Sequence, residues 1–367
     1  MAAAPCSTQE LASQLSEASS KRQSITLCGN STKTRMGGPL RNSDVTITTN
    51  RLNRVLEYDP RDLVVSVEAG ISYGELSRVL AGHRQMIPLD PPFSSDATIG
   101  GILAANSSGP RRRVYGTARD LVIGMTFATL EGKLVRSGGM VVKNVAGLDM
   151  AKLMIGSFGT LAAIATVNFR VHPMPEGTRT FVQSFDQIGP AIATRNQVLE
   201  SRLQPVAIDI LRTSSGYELL IQAAGSRRVL DRYSRELSGA RASEGKEEEE
   251  LWSKIREFTP QFLAEHGDAA VMRVSCTLSE VGRVLDSLPA PALARAGSGV
   301  CYGYFARANE IVQPLMGKSV IEFAPPAFRE GHDLWPQPGT DFAMMKMIKQ
   351  MFDPQGLLNA GRLYGRI

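Results

Sequence analysis

The sequence predicts an α+β protein of two domains, and three observations carry that reading. Its 367 residues exceed what one ordinary core accommodates. Valine- and isoleucine-rich runs of strand length interleave with segments of helical period, a layered pattern rather than an all-helical or all-strand one. The last long strand of the first half runs into Pro173 and Pro175, which neither ladder nor helix tolerates well, and the domain boundary is placed there.

The elements follow in order. "STQE" places Ser7 as the N-cap of a helix over residues 7–20, with Glu10 answering at the third helical position. "ITLCG" is a short strand, Ile25 to Gly29, entering the loop "GNSTKTRMGG", and "VTIT" (45–48) is a second strand. "DLVVSVEAG" (62–70) is a third, followed by a helix in "SYGELSRVLAGH" that opens on a second capping box, Ser72 to Glu75. "LVIGMTFATLEGKLVRSGG" is a hairpin around Glu131–Gly132, "DMAKLMIGS" a short helix that Asp149 is expected to cap, and "GTLAAIATVNFRVHP" a long strand. His172, at its end, is read as a packing residue.

Beyond residue 175, strands are expected at about 180–184, 206–210, 217–223, 270–275, 299–305 and 319–323. Helices are expected at about 187–200, 226–238, 250–257 and 278–287. The run "EGKEEEE" (244–250) reads as a solvated loop or first helical turn. "DFAMMKMIKQMF" reads as a helix whose methionine stripe packs into a core, followed by a turn at Asp353–Gly356 and a compact tail.

Composition excludes several classes. Hydrophobic content of 43% and charged content of 21% fit a globular protein, and the net charge of +5 is too mild and scattered for a nucleic-acid stripe. No apolar run approaches the roughly 18 residues a membrane-spanning helix needs. The start, "MAAAPCSTQELASQLSEASSKRQ", has no basic region followed by an apolar run and is not read as a secretory signal. Cys6, Cys28, Cys276 and Cys301 form no CxxC and are read as buried free thiols in a reducing compartment. The four histidines make no HxH or HExxH, so no metal site is expected.

The nucleotide fingerprints fail. No GxGxxG joins a strand to a helix, and "GKS" at 317–319 lacks the Walker glycine, with Val312 in its place. What remains is a series of separated glycine loops, "GNST" (29–32), "ATIGG" (97–101) and the stretch "GGILAANSSGPRRRVYG" (100–116) among them. Successive main-chain N–H groups in such loops form a nest for phosphate oxygens, and a helix opened by "ATIGG" would add its positive end.

The order "GNSTK" (29–33), "PLDPPFSSDATIGGILAANSSGPRRRVYGTARD" (88–120), "VVKNVAGLDMAKLMIGSFGTLAAIATVNFRV" (141–171) and "FDPQGLLNAGRLY" (352–364) resembles the vanillyl-alcohol-oxidase / PCMH flavoprotein family. Within it the likeness is greatest to the FAD-binding E subunits of bacterial glycolate oxidases. It covers the first 172 residues nearly continuously and the last 15 or so.

The resemblance implies a PCMH-type two-part FAD-binding domain (1–175), a smaller α+β cap (176–335) and a C-terminal segment (336–367) returning to the first domain. It implies that Gly29, Asn30, Ser31, Thr32 and Lys33 line the diphosphate of the cofactor. Asp90, Pro91 and Pro92, with Thr98, Ile99, Gly100 and Gly101, would border diphosphate and flavin. Asn106, Ser107, Ser108 and Gly109, with Tyr115 and Gly116, would follow the cofactor. Gly156, Gly159 and Thr160 would turn beside the adenine half, Ile164 would make a main-chain contact, and Asn359 would sit near the ring.

Three positions depart from the usual family residue: Leu148, Phe158 and Ala360. No histidine falls where a covalent flavin link is expected, so the FAD is read as noncovalent. Lys143 and Asn144 either approach the flavin or anchor an ordinary loop, and Arg111 to Arg113 balance the diphosphate, form a partner surface or are merely solvated.

The implied function is that of the electron-handling FAD subunit of a glycolate oxidase complex, cytoplasmic or held at the inner membrane face through that complex. Its partners would be a homologous FAD catalytic subunit and an iron–sulfur subunit, with a small 2-hydroxy acid as substrate. No catalytic residue is assigned. The alternatives are a self-sufficient FAD dehydrogenase of another 2-hydroxy acid and a non-redox scaffold that keeps FAD as a structural core.

Overall fold

A computed structural model describes residues 2–40, 43–140, 148–311, 319–365 and 367; Lys143 and Asn144 lie outside the described residues. The fold is α+β. The chain divides into two compact units, one of Met1–Ser108, Gly116–Met174 and Arg329–Ile367, the other of Gly109–Tyr115 and Pro175–Phe328.

The first unit holds two main sheets. A small parallel sheet orders Ala2–Ala3, Val45–Thr48 and Ile25–Cys28, and Leu358 of the C-terminal segment bridges to Ile25. An antiparallel sheet orders Val55–Asp59, Val64–Glu68, Ala163–Arg170, Val122–Ala128 and Leu134–Gly138. The expected hairpin is the last pair, and Gly132 closes its turn at φ +77, a conformation glycine adopts without a Cβ clash. Val65, Val67, Val167 and Phe169 alternate into the core that also takes Leu76 and Leu80 of helix Tyr73–Ala81.

Two of the three expected N-caps are present. Glu10 N–H donates to Ser7 Oγ (3.1 Å) and Glu75 N–H to Ser72 Oγ (3.1 Å). The first box is shifted by one residue, because the Glu10 carboxylate accepts from the backbone N–H of Cys6. Asp149 does not cap. It holds the N-cap position of helix Met150–Met154, but its ψ of 77° departs from the extended backbone of Ser7 and Ser72, and its carboxylate lies 3.9 Å from Lys152 instead. His172 pairs with Met86 in a two-stranded ladder, and burial holds its imidazole below the usual range.

The second unit is built on an eight-stranded sheet in the order Arg241–Ser243, Gly177–Phe185, Gly216–Gly225, Ala207–Thr213, Ala292–Arg295, Val300–Phe305, Ala270–Ser275, Val320–Phe323. Its two halves repeat one plan: strand, helix, strand, hairpin partner, edge strand. They join through Ala207–Thr213 and Ala292–Arg295. Arg241–Ser243 and Ala292–Arg295 are strands that the sequence reading did not include.

Three expectations about burial are corrected. Of the four cysteines only Cys301 is buried; Cys6 is exposed, and Cys28 and Cys276 are intermediate. A thiol reagent added to the native protein is therefore expected to modify Cys6 but not Cys301, whose thiol burial pushes far up, until the chain unfolds. Mass mapping that finds Cys301 labelled at the rate of Cys6 would contradict this burial pattern.

The acidic run is not wholly solvated either. It opens the helix Gly245–Arg256, and Glu248 turns inward at 2% exposure, accepting from Thr178 Oγ1, Thr180 Oγ1 and Gln222 Nε2. The methionine stripe is the reverse case. Helix Phe342–Phe352 buries Phe342 and Lys349, while Met344, Met347 and Met351 face outward at 56%, 57% and 75% exposure. An apolar stripe identifies one face of a helix; packing decides which face is covered.

Candidate cofactor site

The site begins where the strand Ile25–Cys28 runs out at Gly29. A Cβ at Gly29 would stand 2.1 Å from Thr98 Oγ1, so only glycine lets the two loops approach. Thr98 in turn caps the short helix Ile99–Ala104, accepting from Gly101 N–H at 3.2 Å. Asn30 ties the same loops together, donating from Nδ2 to Asp96 C=O at 2.8 Å. Ser31 then adopts φ +56, the left-handed conformation a nest uses. Among the described residues none accepts a hydrogen bond from the backbone N–H of Asn30, Ser31 or Thr32.

These residues line one wall of an open cleft of about 210 Å³. Thr98, Gly101, Ala104 and Ala105 line another part, and Phe158, Asn359 and Arg362 close it. Lys33 is buried, with its ammonium 5.7 Å from the Phe93 ring centre. Three of the cleft-lining residues, Ser31, Phe158 and Asn359, are non-glycine residues at positive φ. Such strain persists where surrounding contacts over-determine it.

Asn359 shows how. Its Oδ1 accepts from Leu27 N–H (2.8 Å), and its Nδ2 donates to Leu27 C=O (3.1 Å) and Phe158 C=O (2.8 Å). The side chain thus clamps the strand to the turn at 156–159, where Gly159 has φ +68. It positions the wall and leaves the cleft to its neighbours.

Of the residues singled out from sequence, Gly29, Asn30, Ser31, Thr32, Lys33, Thr98, Gly101 and Asn359 meet in this cleft. The others line no part of it. Asp90 is buried, with its backbone N–H within 3.4 Å of the Tyr73 hydroxyl. Gly100 N–H donates to Ala69 C=O, and Thr160 Oγ1 donates to Ser157 C=O. Ile164 pairs with Phe127 in the antiparallel sheet. Gly109 and Tyr115 belong to the second unit with Arg111 to Arg113, which line no part of the cleft. Arg113 packs there against Gly297.

Sequence reasoning missed Arg362 and Arg329. Arg362 is buried and donates to Lys33 C=O (3.2 Å) and Thr34 C=O (3.4 Å). Arg329 donates to Thr34 C=O at 2.9 Å, with Gly37 and Gly38 C=O at 3.4 and 3.5 Å. Burial, then the neighbouring Arg329, lowers the Arg362 guanidinium to about 10. Spacing along the chain does not reveal it.

Comparison with known proteins fits this geometry. A family profile described as "FAD binding domain" matches residues 1–138, and one described as "FAD linked oxidases, C-terminal domain" matches 337–363. The chain carries a FAD-binding domain of the PCMH type. It is 28% identical to glycolate oxidase subunit GlcE of Escherichia coli (strain K12) over 98% of both chains. It is 29% identical to glycolate oxidase subunit GlcD of Bacillus subtilis (strain 168) over 57% of this chain and 44% of that protein. It is 30% identical to a D-lactate dehydrogenase of Anaerostipes hadrus over 56% of this chain and 43% of that protein. Two solved structures of alkyldihydroxyacetonephosphate synthase share the fold at TM-scores of 0.71 and 0.67, with 20% identity, over 97% of this chain and 75% of theirs.

The cleft fits FAD on its own terms. The backbone approach at Gly29, the N–H groups of Asn30 to Thr32 and the cation of Lys33 suit a diphosphate. Leu27, Leu40, Ala104, Ala105 and Phe158 give the apolar lining that rings require.

Proposed function

We propose that this chain is the FAD-binding subunit of a glycolate oxidase complex, receiving the electrons of glycolate oxidation to glyoxylate and delivering them to further redox partners. The single observation that carries this reading is the alignment over 98% of both chains with a protein named as a glycolate oxidase subunit. In this reading the first compact unit is the cofactor domain and the second its cap. Bound FAD supplies two-electron acceptance from a hydroxy acid. The residues here hold it: the 29–33 loop at the diphosphate, Thr98 and Gly101 beside it, and Asn359 fixing the wall. We also propose that the FAD is noncovalent, and that a homologous FAD subunit and an iron–sulfur subunit are the partners.

The cap supports a division of labour. A 2-hydroxy acid needs an unpaired cation for its carboxylate and a base for its hydroxyl proton. Arg295 pairs with buried Asp209, and Arg273 with Glu322, so both charges are balanced inside the unit. We place the chemistry at glycolate mainly on the homologous subunit. Among the described residues no helix is long and apolar enough to cross a membrane.

Purified chain is expected to carry yellow FAD that acid denaturation releases, and added FAD should raise its Tm. Anaerobic glycolate should bleach the flavin slowly in the lone chain and rapidly once the partner subunits are co-expressed. Full turnover by the lone chain would overturn the subunit reading; a protein that neither retains FAD nor responds to it would overturn the cofactor assignment.

A further inference from the structure

Arg362 and Arg329 are two cations that form no ion pair with a carboxylate among the described residues. Arg362 is 9% exposed and lines the cleft; its guanidinium lies over the Phe158 ring, 5.7 Å from the centroid. Among the described residues no carboxylate lies within ion-pair distance of either arginine. Among the described residues each hydrogen-bonds to backbone carbonyls alone, and Arg329 itself lowers the Arg362 guanidinium. A desolvated cation without a counter-charge is unfavourable, and like charges side by side more so. Lys33 brings a third positive charge to the same loop.

Both arginines belong to the stretch that returns to the first unit, Arg329–Ile367. They grip the loop from behind. Their acceptors are the carbonyls of Lys33, Thr34, Gly37 and Gly38, while Gly38 N–H donates back to Arg362 C=O at 3.0 Å. The backbones meet so closely that a Cβ on Gly38 would stand 2.1 Å from Gly361 C=O.

We propose that Arg362 and Arg329 are the counter-cations of the cofactor diphosphate, carried in on the C-terminal segment, so that loading of FAD and seating of residues 329–367 on the 33–38 loop form one coupled equilibrium. The proposal rests on the FAD reading of the cleft. The coupling is reciprocal: FAD tightens the segment, and the seated segment tightens FAD. Arg362 contributes charge toward the diphosphate and positions the loop through its carbonyl bonds.

The test uses the full chain stripped of FAD. FAD, ADP (diphosphate without flavin) and riboflavin (flavin without phosphate) are titrated at low and high salt into wild type, Arg362→Gln, Arg362→Lys and Arg329→Gln. Hydrogen exchange of segment 339–365 is followed with and without FAD. Arg362→Gln is expected to weaken FAD and ADP by roughly tenfold to a hundredfold, as loss of a charge-assisted contact does, and to flatten the salt dependence. Riboflavin should be unaffected, Arg362→Lys should recover part of the loss, and FAD should slow exchange across 353–363 in wild type. Arg329→Gln should show the same pattern more weakly, and it serves with the exchange measurement if Arg362→Gln does not fold. Unchanged FAD affinity and salt slope in both glutamine variants would overturn the proposal, as would equal weakening of FAD and riboflavin or exchange in 353–363 that ignores FAD. Wild type that binds none of the three would instead overturn the FAD reading beneath it.

Discussion

Gly29→Val is expected to abolish stoichiometric FAD, with affinity falling at least about a hundredfold. The new Cβ would stand 2.1 Å from Thr98 Oγ1 and 2.8 Å from its Cγ2. Thr98 cannot yield cheaply, because its hydroxyl caps Ile99–Ala104. Overpacking of this kind costs about 1–3 kcal/mol, and losing the cap adds about 1 more. Both are felt at the loop that faces the cofactor. Gly101→Val meets only Thr98 Oγ1, at 3.1 Å, but extends a side chain into the cleft, and a smaller loss is expected. Gly189→Ala, in open space on helix Ile188–Glu200, is the control and should leave FAD in place. Flavin absorbance per chain after gel filtration reads all three. Full FAD occupancy in Gly29→Val would show that the cofactor lies elsewhere.

Asp353→Ala should produce the largest loss of stability. Lys349 is buried, and its ammonium donates to Thr160 C=O (2.8 Å), Leu358 C=O (3.1 Å) and Asp353 Oδ2 (2.6 Å). Asp353, 2% exposed, also accepts from the backbone N–H groups of Leu357 and Leu358. Removing the carboxylate leaves a buried ammonium and two buried donors unmatched, a cost of about 3–5 kcal/mol. Burial already lowers the Lys349 pKa below its usual 10.5, and Asp353 opposes that shift. Without Asp353 the folded-state value falls further. The folded chain then binds fewer protons than the unfolded chain between the lowered value and 10.5, so the variant's stability rises with pH across that window. Urea titrations at neutral pH and near pH 10 should show the deficit shrinking as pH rises. A deficit independent of pH would mean that the loss comes from the backbone donors alone.

Much of this was legible in the chain. The caps at Ser7 and Ser72, the hairpin around Gly132 and the valine-rich strand Val64–Glu68 follow from local chemistry that any context would respect. Asp149 resembled those caps in sequence and failed in structure, because a cap depends on the backbone angle of its own residue as well as its side chain. Glu248 was hidden in a run of glutamates. Its register on the helix, which sequence does not give relative to the sheet, sets it against Thr178 and Thr180. Met344, Met347 and Met351 looked like core for the same reason in reverse.

The sequence by itself determined the α+β class, most of the elements and the phosphate-nest loop, because these depend on residue type at short range; the cofactor type followed from the family resemblance. "GNSTK" reads as a nest wherever it folds, since the conformations it needs are those glycine and its small polar neighbours tolerate. Only the tertiary structure decided which charges stand behind that nest. Arg362 and Lys33 are far apart along the chain, and the hydrogen bond that joins them exists only because Leu358 bridges to Ile25 and carries the C-terminal segment onto the loop. Local propensity acts over a few residues. Burial, charge balance and the closing of a cleft are properties of surfaces that meet after folding, and no periodicity records which surfaces those will be.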